Sequence, residues 1–425
     1  MKYSKEIKDF VFDKAYRSEY YPFVGKWLYG CAFFTAIYVI FALILIGVPS
    51  LSRGAIVTVL MGLSWAFIGI IFKKKQFPLV LCLPLFFYSI TVFFGFFVEN
   101  YPIEAVGKLT TAWLGVVMIA IFVANGISLR FVILCFSLII VANLLATALG
   151  YDGRLVNALA EGKEYYLYQT TRRISALAGQ TNLLVALVFT FPFSLFLFRK
   201  SLGIYVLMLC TLLCVSFMFL TASRSSLPFT ALFLTLGGLF FVKTQKYRLV
   251  SVISGVSLFI VGIYLVFSYS VVQFFSQPVF SDIEFVRRVV EVLNRKSGSV
   301  DHRMELASGF TQYFFRQPFV GYGPDQFKVI VGYGSYAHNN PVELLVNYGL
   351  VGSFTYYSMY LYVSIKIFRY WPYNSFLLAP LLFLISTEFV YVTHVERPFA
   401  LLLCLLLLTS INVTSQVQPK RFSFY

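Results

Sequence analysis

The stretch Ala337-His338-Asn339-Asn340-Pro341-Val342-Glu343-Leu344-Leu345-Val346-Asn347-Tyr348-Gly349-Leu350-Val351-Gly352 decides how this chain folds. It closes the longest polar segment of a very hydrophobic protein, and a membrane span begins directly after it. A His held where water meets the bilayer core can move protons or bind an anionic group near neutral pH. Glu343 follows at the start of the helix, where the macrodipole favours a negative charge. Asn339 is placed to orient the His338 ring, and Gly349 and Gly352 suit close helix packing.

The rest of the chain supports a membrane reading. Of 425 residues, 59% are hydrophobic and 12% charged, and the mean hydropathy is +0.80. Soluble globules do not have this composition; polytopic helical membrane proteins do. The 48 Phe and 29 Tyr suit lipid-facing surfaces and interfacial belts. The first apolar run, 27–48, exceeds the roughly 7–15 residues of a signal-peptide core and is expected to remain as a span. The net charge of +16 is spread over many loops, with no domain to present a groove-reading element, so nucleic acid is excluded as a partner. Anionic lipids account for part of the charge. Cys31, Cys82, Cys135, Cys210, Cys214 and Cys404 all lie in apolar runs without a metal-site partner at a useful spacing, which points to core packing.

A span needs about 20 apolar residues. Such runs fall at 27–48, 54–72, 77–98, 107–124, 130–149, 183–198, 202–220, 225–242, 249–270, 350–367, 375–393 and 398–413, predicting an all-α polytopic protein of about twelve transmembrane helices. Lys and Arg concentrate in the N-terminal tail and in alternate short loops, such as Lys73-Lys74-Lys75 and Arg199-Lys200. That bias puts both termini in the cytoplasm. The predicted organisation is a tail at 1–26, spans 1–9 over 27–270, a large outward loop at 271–349, spans 10–12 over 350–413 and a tail at 414–425. A second outward loop covers 150–182. Connectors as long as 271–349 are seldom structureless and usually functional. Within it, Ser281 to Asn294 has the spacing of an amphipathic helix. A second helix starts near Asp301, carries Arg303, Leu306, Phe310 and Phe314 on one stripe, and ends before Pro318.

Several polar residues stand out. Arg224, in Thr221-Ala222-Ser223-Arg224-Ser225-Ser226, sits between two spans. Snorkelling to head groups is the plain reading; anion binding between small hydroxyl residues is the functional one. Arg303 has the alternative of an ion pair with Glu305 or Asp301. Two Arg residues from separate segments match phosphate oxygens through their planar forks. Glu388 is an acid inside an apolar run, a functional candidate by default.

In order, Arg303, the run Pro318-Phe319-Val320-Gly321-Tyr322-Gly323-Pro324-Asp325-Gln326-Phe327, and His338-Asn339 followed by Glu343-Leu344-Leu345 and Gly349-Leu350-Val351-Gly352 resemble the O-antigen ligase and polymerase superfamily. These membrane glycosyltransferases, GT-C-like in fold, take glycans from a polyprenyl-diphosphate carrier. The resemblance implies catalytic roles for Arg224, Arg303 and His338. Arg224 and Arg303 would hold the diphosphate, and His338 would assist attack or leaving. Arg173 and Asn182, in a weaker match with Ala176 where a Gly is common, would line the substrate site together with Asn339 and Glu343. His302 and His394 match nothing in the pattern. The implied reaction inverts the anomeric centre and needs neither a nucleotide sugar, a cofactor nor a metal. Its partners would be an undecaprenyl-diphosphate-linked glycan, a glycolipid or glycan acceptor, and membrane lipids. The implied location is the bacterial cytoplasmic membrane, with the site on its outer face. Ligation to lipid A-core is the leading expectation and repeat-unit polymerisation the alternative. A lipid-linked oligosaccharide flippase is the rival of another class, and it should place its polar residues mid-bilayer.

Overall fold

The computed structural model describes residues 22–40, 49–73, 77–96, 103–128, 309–331, 336–337, 339–389 and 391–417, with isolated positions between 131 and 290. Among the described residues the chain is helical, with no β-strand. Helices α1 (Pro22–Val39) and α2 (Pro49–Lys73) are joined by a reciprocal clamp. The Trp27 indole donates to the Trp65 carbonyl at 3.0 Å, and the Trp65 indole donates to the Trp27 carbonyl at 3.0 Å. Each ring fills the space that a Cβ would take on the facing helix, Trp65 over Gly30 and Trp27 over Gly69. Small residues admit this close approach, and the indole N–H groups find partners without water.

A 3₁₀ turn (Leu79–Leu81) leads into α3 (Cys82–Gly95). Next come α4 (Ile103–Leu109), a π turn (Thr110–Leu114) and α5 (Gly115–Ala124). A π turn loosens the i→i−4 ladder, and here the Thr111 carbonyl receives the Tyr38 hydroxyl at 2.7 Å. The Tyr38 ring lies where a Cβ on Gly115 would sit. Further along are α6 (Gln326–Ile330), α7 (Asn340–Arg369), α8 (Trp371–Asn374), α9 (Leu378–Glu388) and α10 (Arg397–Val417). Gly115 through Phe122 on α5 and Leu401 through Leu408 on α10 are all buried. Helices apolar on every side belong at the centre. Accordingly, α5 packs on α2 and α10, while α7 covers α3 and α10. Cys31, Cys135 and Cys404 pack in this interior as expected, whereas Cys82 is exposed.

Two helical stretches, Gly54–Ile71 and Ala105–Ala124, are long and apolar enough to cross a bilayer. Both coincide with predicted spans, and the runs predicted at 77–98, 350–367, 375–393 and 398–413 also fall on helices. The predicted span at 375–393 is shorter in the structure: α9 ends at Glu388, and the chain turns through a 3₁₀ segment at Thr393–Val395. The runs at 130–149, 183–198, 202–220, 225–242 and 249–270 lie largely outside the described residues. So do the amphipathic segment 281–294, apart from Val290, and the whole of loop 150–182. The two apolar helices thus fall short of the expected twelve, a count that the described residues do not reach.

Candidate functional site

The family-like motifs meet at a break in α7. Gly349 has φ 60° and ψ −161° in the middle of that helix. This region of backbone space is essentially restricted to glycine. An uninterrupted helix would bond the Leu350 amide to the Val346 carbonyl and the Val351 amide to the Asn347 carbonyl. Both bonds are exchanged with the Pro318–Gly323 turn. Leu350 and Val351 donate to the Pro318 and Phe319 carbonyls at 2.8 and 3.0 Å. The orphaned Val346 and Asn347 carbonyls receive the Tyr322 and Gly323 amides at 2.9 and 2.7 Å. Gly321, at φ 66°, permits the contact, since a Cβ there would lie 2.6 Å from the Asn347 carbonyl. The two glycine motifs are therefore one structure. Gly349 serves this exchange rather than the helix-to-helix packing expected from sequence.

The nine residues before the break form a short buried half-helix. Asn339 caps it, its side-chain oxygen accepting the Val342 amide at 3.3 Å. That oxygen serves the cap; the expected contact with the His338 ring lies outside the described residues. Glu343 is fully buried, and Oε1 accepts the Ala337 amide at 2.7 Å. It therefore does more than answer the helix dipole, because it ties the incoming strand of chain to the helix. Asn347 extends the arrangement by accepting the Phe327 amide at 2.7 Å. Burial, with the nearby Asp325 charge adding, pushes the Glu343 carboxyl up to about 8, against the pull of the Ala337 amide, Asn347 and Lys328. A carboxyl poised near neutrality can exchange a proton under working conditions. Burial and Asp325 likewise push the Tyr336 phenol up.

Glu343, Asn347, Asp325 and Tyr336 line a cavity of about 10 Å³, room for about one water. Lys108 from α4 and His394 from the α9–α10 turn complete its wall. The Lys/Arg reading places 98–107, 338–349 and 393–397 on the same side of the membrane, and parts of all three come together here.

The polar cluster behind this cavity escaped sequence reasoning. Glu388 accepts hydrogen bonds from Asn340 Nδ2 (2.6 Å), Tyr356 (3.0 Å), Tyr357 (3.0 Å), Tyr360 (2.6 Å) and Thr393 (2.6 Å). Asn340 Oδ1 faces the His394 backbone amide at 3.2 Å and His394 Nδ1 at 2.6 Å. With Asn340 Nδ2 committed to Glu388, that oxygen must accept, so His394 carries its proton on Nδ1. Burial lowers the His394 imidazole to about 3, so it is neutral at pH 7. The Trp113 indole fixes the same turn by donating to the His394 carbonyl at 2.8 Å, and Arg397 donates to Thr111 at 2.9 Å. His394, which matched no motif, lies at the site among the described residues, whereas His302 and His338 are outside them. The available signal was the cluster of tyrosines at 356, 357 and 360 on α7, with an acid two helices on in the apolar run 375–393.

Of the residues singled out from sequence, Glu343 lines this cavity, Asn339 caps the helix beside it, and Glu388 centres the cluster behind it. Arg173, Asn182, Arg224, Arg303 and His338 lie outside the described residues, although Ala337 and Asn339, the neighbours of His338, are both held as described. Residues 209–357 match a family model described as O-Antigen ligase. Arg224, Arg303, His338, Asn339 and Glu343 fall within the match, and Arg173 and Asn182 fall before it. No curated protein matches the chain. Both glycine motifs, the half-helix and, of the tyrosines that reach Glu388, Tyr356 and Tyr357 lie inside that stretch, and over residues 209–357 the chain is similar to the O-antigen ligase family.

Proposed function

We propose that this protein is an inverting membrane glycosyltransferase of O-antigen assembly, moving a glycan from undecaprenyl diphosphate to a hydroxyl of lipid A-core on the outer face of the cytoplasmic membrane. The observation that carries the reading is the family match over 209–357, which contains Arg224, Arg303 and His338 and the half-helix over the Glu343 cavity. In the reaction, the acceptor oxygen attacks the anomeric carbon as the bond to the diphosphate oxygen breaks. The bonding pair leaves on the diphosphate, where Arg224 and Arg303 stabilise the growing charge. His338 takes the acceptor proton or donates to the phosphate. Glu343 holds the Ala337 amide beside His338, and so sets the entry of the chain into α7.

The transporter reading calls for polar residues mid-bilayer; Glu388 is an acid in an apolar run, but it stands at the end of α9, near the outer face. Its two oxygens are occupied by five donors of the protein itself, which favours a structural post over a cargo site. The test is a purified assay with lipid-linked glycan and two acceptors, lipid A-core and a second donor molecule, following diphosphate release and product size. One glycan added to lipid A-core with one diphosphate released supports ligation. Growing chains on the carrier show polymerisation, and neither product with glycolipid crossing the bilayer shows transport.

A further inference from the structure

Between Leu350 and Phe368, every exposed residue of α7 is apolar: Leu350, Val351, Phe354, Leu361, Ile365 and Phe368. They recur at helical spacing along one face, while Tyr356 and Tyr360 point the other way, into the protein. A uniformly apolar exposed stripe on a membrane protein's helix is a surface for hydrocarbon. Those inward tyrosines lower the mean hydropathy of α7, but the exposed face is unaffected.

The stripe does not stop at the helix break. Phe319 and Val320 stand beside its upper end, because Pro318 and Phe319 receive the amides of Leu350 and Val351. Phe319 is 67% exposed, close to the 75% of Phe354, and Phe315, one turn before Pro318, is exposed as well. Irregular backbone is normally barred from hydrocarbon, because each unsatisfied amide or carbonyl is costly there. In this turn the Pro318 and Phe319 carbonyls and the Tyr322 and Gly323 amides are all bonded to α7. Arg316 and Gln317 are exposed alongside, a mixture suited to the headgroup boundary, where long polar side chains reach water and aromatic rings reach the acyl chains.

We infer that the Phe315–Val320 segment is a membrane-seated foot of the outward loop, with Phe315, Phe319 and Val320 in contact with the acyl chains of bulk outer-leaflet lipid. Continuity with the α7 stripe names the occupant. The foot holds the neighbouring cavity, reached five residues after Val320 at Asp325, at headgroup level. This inference depends on the membrane reading of α7 and not on the transfer reaction.

The experiment uses the full chain in nanodiscs of phosphatidylethanolamine and phosphatidylglycerol, without polyprenyl lipid, in a Cys82→Ser, Cys210→Ser, Cys214→Ser background. Nitroxide labels are placed singly at Phe319→Cys, Val320→Cys, Phe354→Cys and Thr311→Cys, and collision with oxygen is compared with collision with a water-soluble nickel chelate. Labels at 319 and 320 should favour oxygen over nickel several-fold, as at 354, whereas 311 favours nickel. Nickel-dominated collision at 319 and 320 overturns the proposal, and so does shielding from both probes, which would mean protein cover. If oxygen access at 319 falls only when undecaprenyl diphosphate is added, the surface is a prenyl site and the bulk-lipid assignment fails. A Phe319→Ser variant with unchanged nanodisc assembly guards against label-induced misfolding. In that background the label at 320 should shift toward nickel, and an unmoved ratio also counts against the foot.

Discussion

Replacing Gly349 with alanine tests whether the two glycine motifs form one structure. At φ 60° and ψ −161° an L-residue is strained by about 1–3 kcal/mol. Its Cβ would also fall on the Phe319 carbonyl group and 2.6 Å from the Val320 amide nitrogen. Those are backbone atoms, so no side chain can swing aside; the turn itself must move. Moving it breaks the four exchanged hydrogen bonds at 2.7–3.0 Å, each worth about 0.5–1.5 kcal/mol net and more if its partners stay dry. Strain and lost bonds together reach roughly 3–9 kcal/mol, the scale of a whole domain's stability. The variant should lower the midpoint of thermal unfolding in detergent by well over 5 °C, and should open the 318–323 segment to limited proteolysis below that midpoint. Gly107→Ala is the control, because its Cβ would meet nothing nearer than Ile56 Cδ1 at 3.4 Å. An unfolding midpoint for Gly349→Ala within a degree of the Gly107→Ala value, with equal proteolysis, would show the exchange to be irrelevant.

Other perturbations probe the site and its supports. Glu343→Gln keeps an oxygen for the Ala337 amide while removing the ionisable group. In the wild type, the folded carboxyl at about 8 retains a proton that the unfolded chain releases near its ordinary value of about 4.3, so stability declines as pH rises between them. Urea titrations at pH 5 and pH 8 should show that decline in the wild type and a flatter response in Glu343→Gln; equal slopes would remove Glu343 as the cause. His394→Ala removes the ring's hydrogen bond to the Asn340 oxygen, which keeps only the backbone amide of residue 394, and should destabilise the protein by about 0.5–1.5 kcal/mol or more; a thermal midpoint equal to the wild type would count against the network. Trp27→Phe, which forfeits the hydrogen bond to Trp65, should cost about 0.5–1.5 kcal/mol, and Gly69→Val, which fills the Trp27 ring's space, should cost more; the reverse order would contradict the clamp. Arg224→Ala and Arg303→Ala should each reduce transfer by on the order of 10²–10³ with normal membrane expression, measured as diphosphate release, and near-wild-type turnover in either would remove that residue from the reaction.

Much was settled by the sequence alone. Apolar runs of membrane length require helices, because hydrocarbon leaves no other partner for backbone amides, and α2 and the α4–α5 stretch fall where those runs lie. The ordered motifs from Arg303 to Gly352 carried the resemblance to the family whose model matches residues 209–357. Asn339 and Glu343 were legible as residues of the helix start, since local spacing marks them, and there they make the cap and the Ala337 tie. What tertiary structure decided was every relation between distant segments. Glycine spacing signals freedom of backbone, but not that Gly321 and Gly349 free the chain for each other, because the exchanged bonds join residues 24 to 32 apart. Nor can periodicity pair Glu388 with Asn340, 48 residues earlier, or give His394 an acceptor 54 residues away. A lone His and a lone Glu in apolar surroundings have no local pattern. Their meaning comes from burial, which makes each polar atom find a partner wherever the fold provides one.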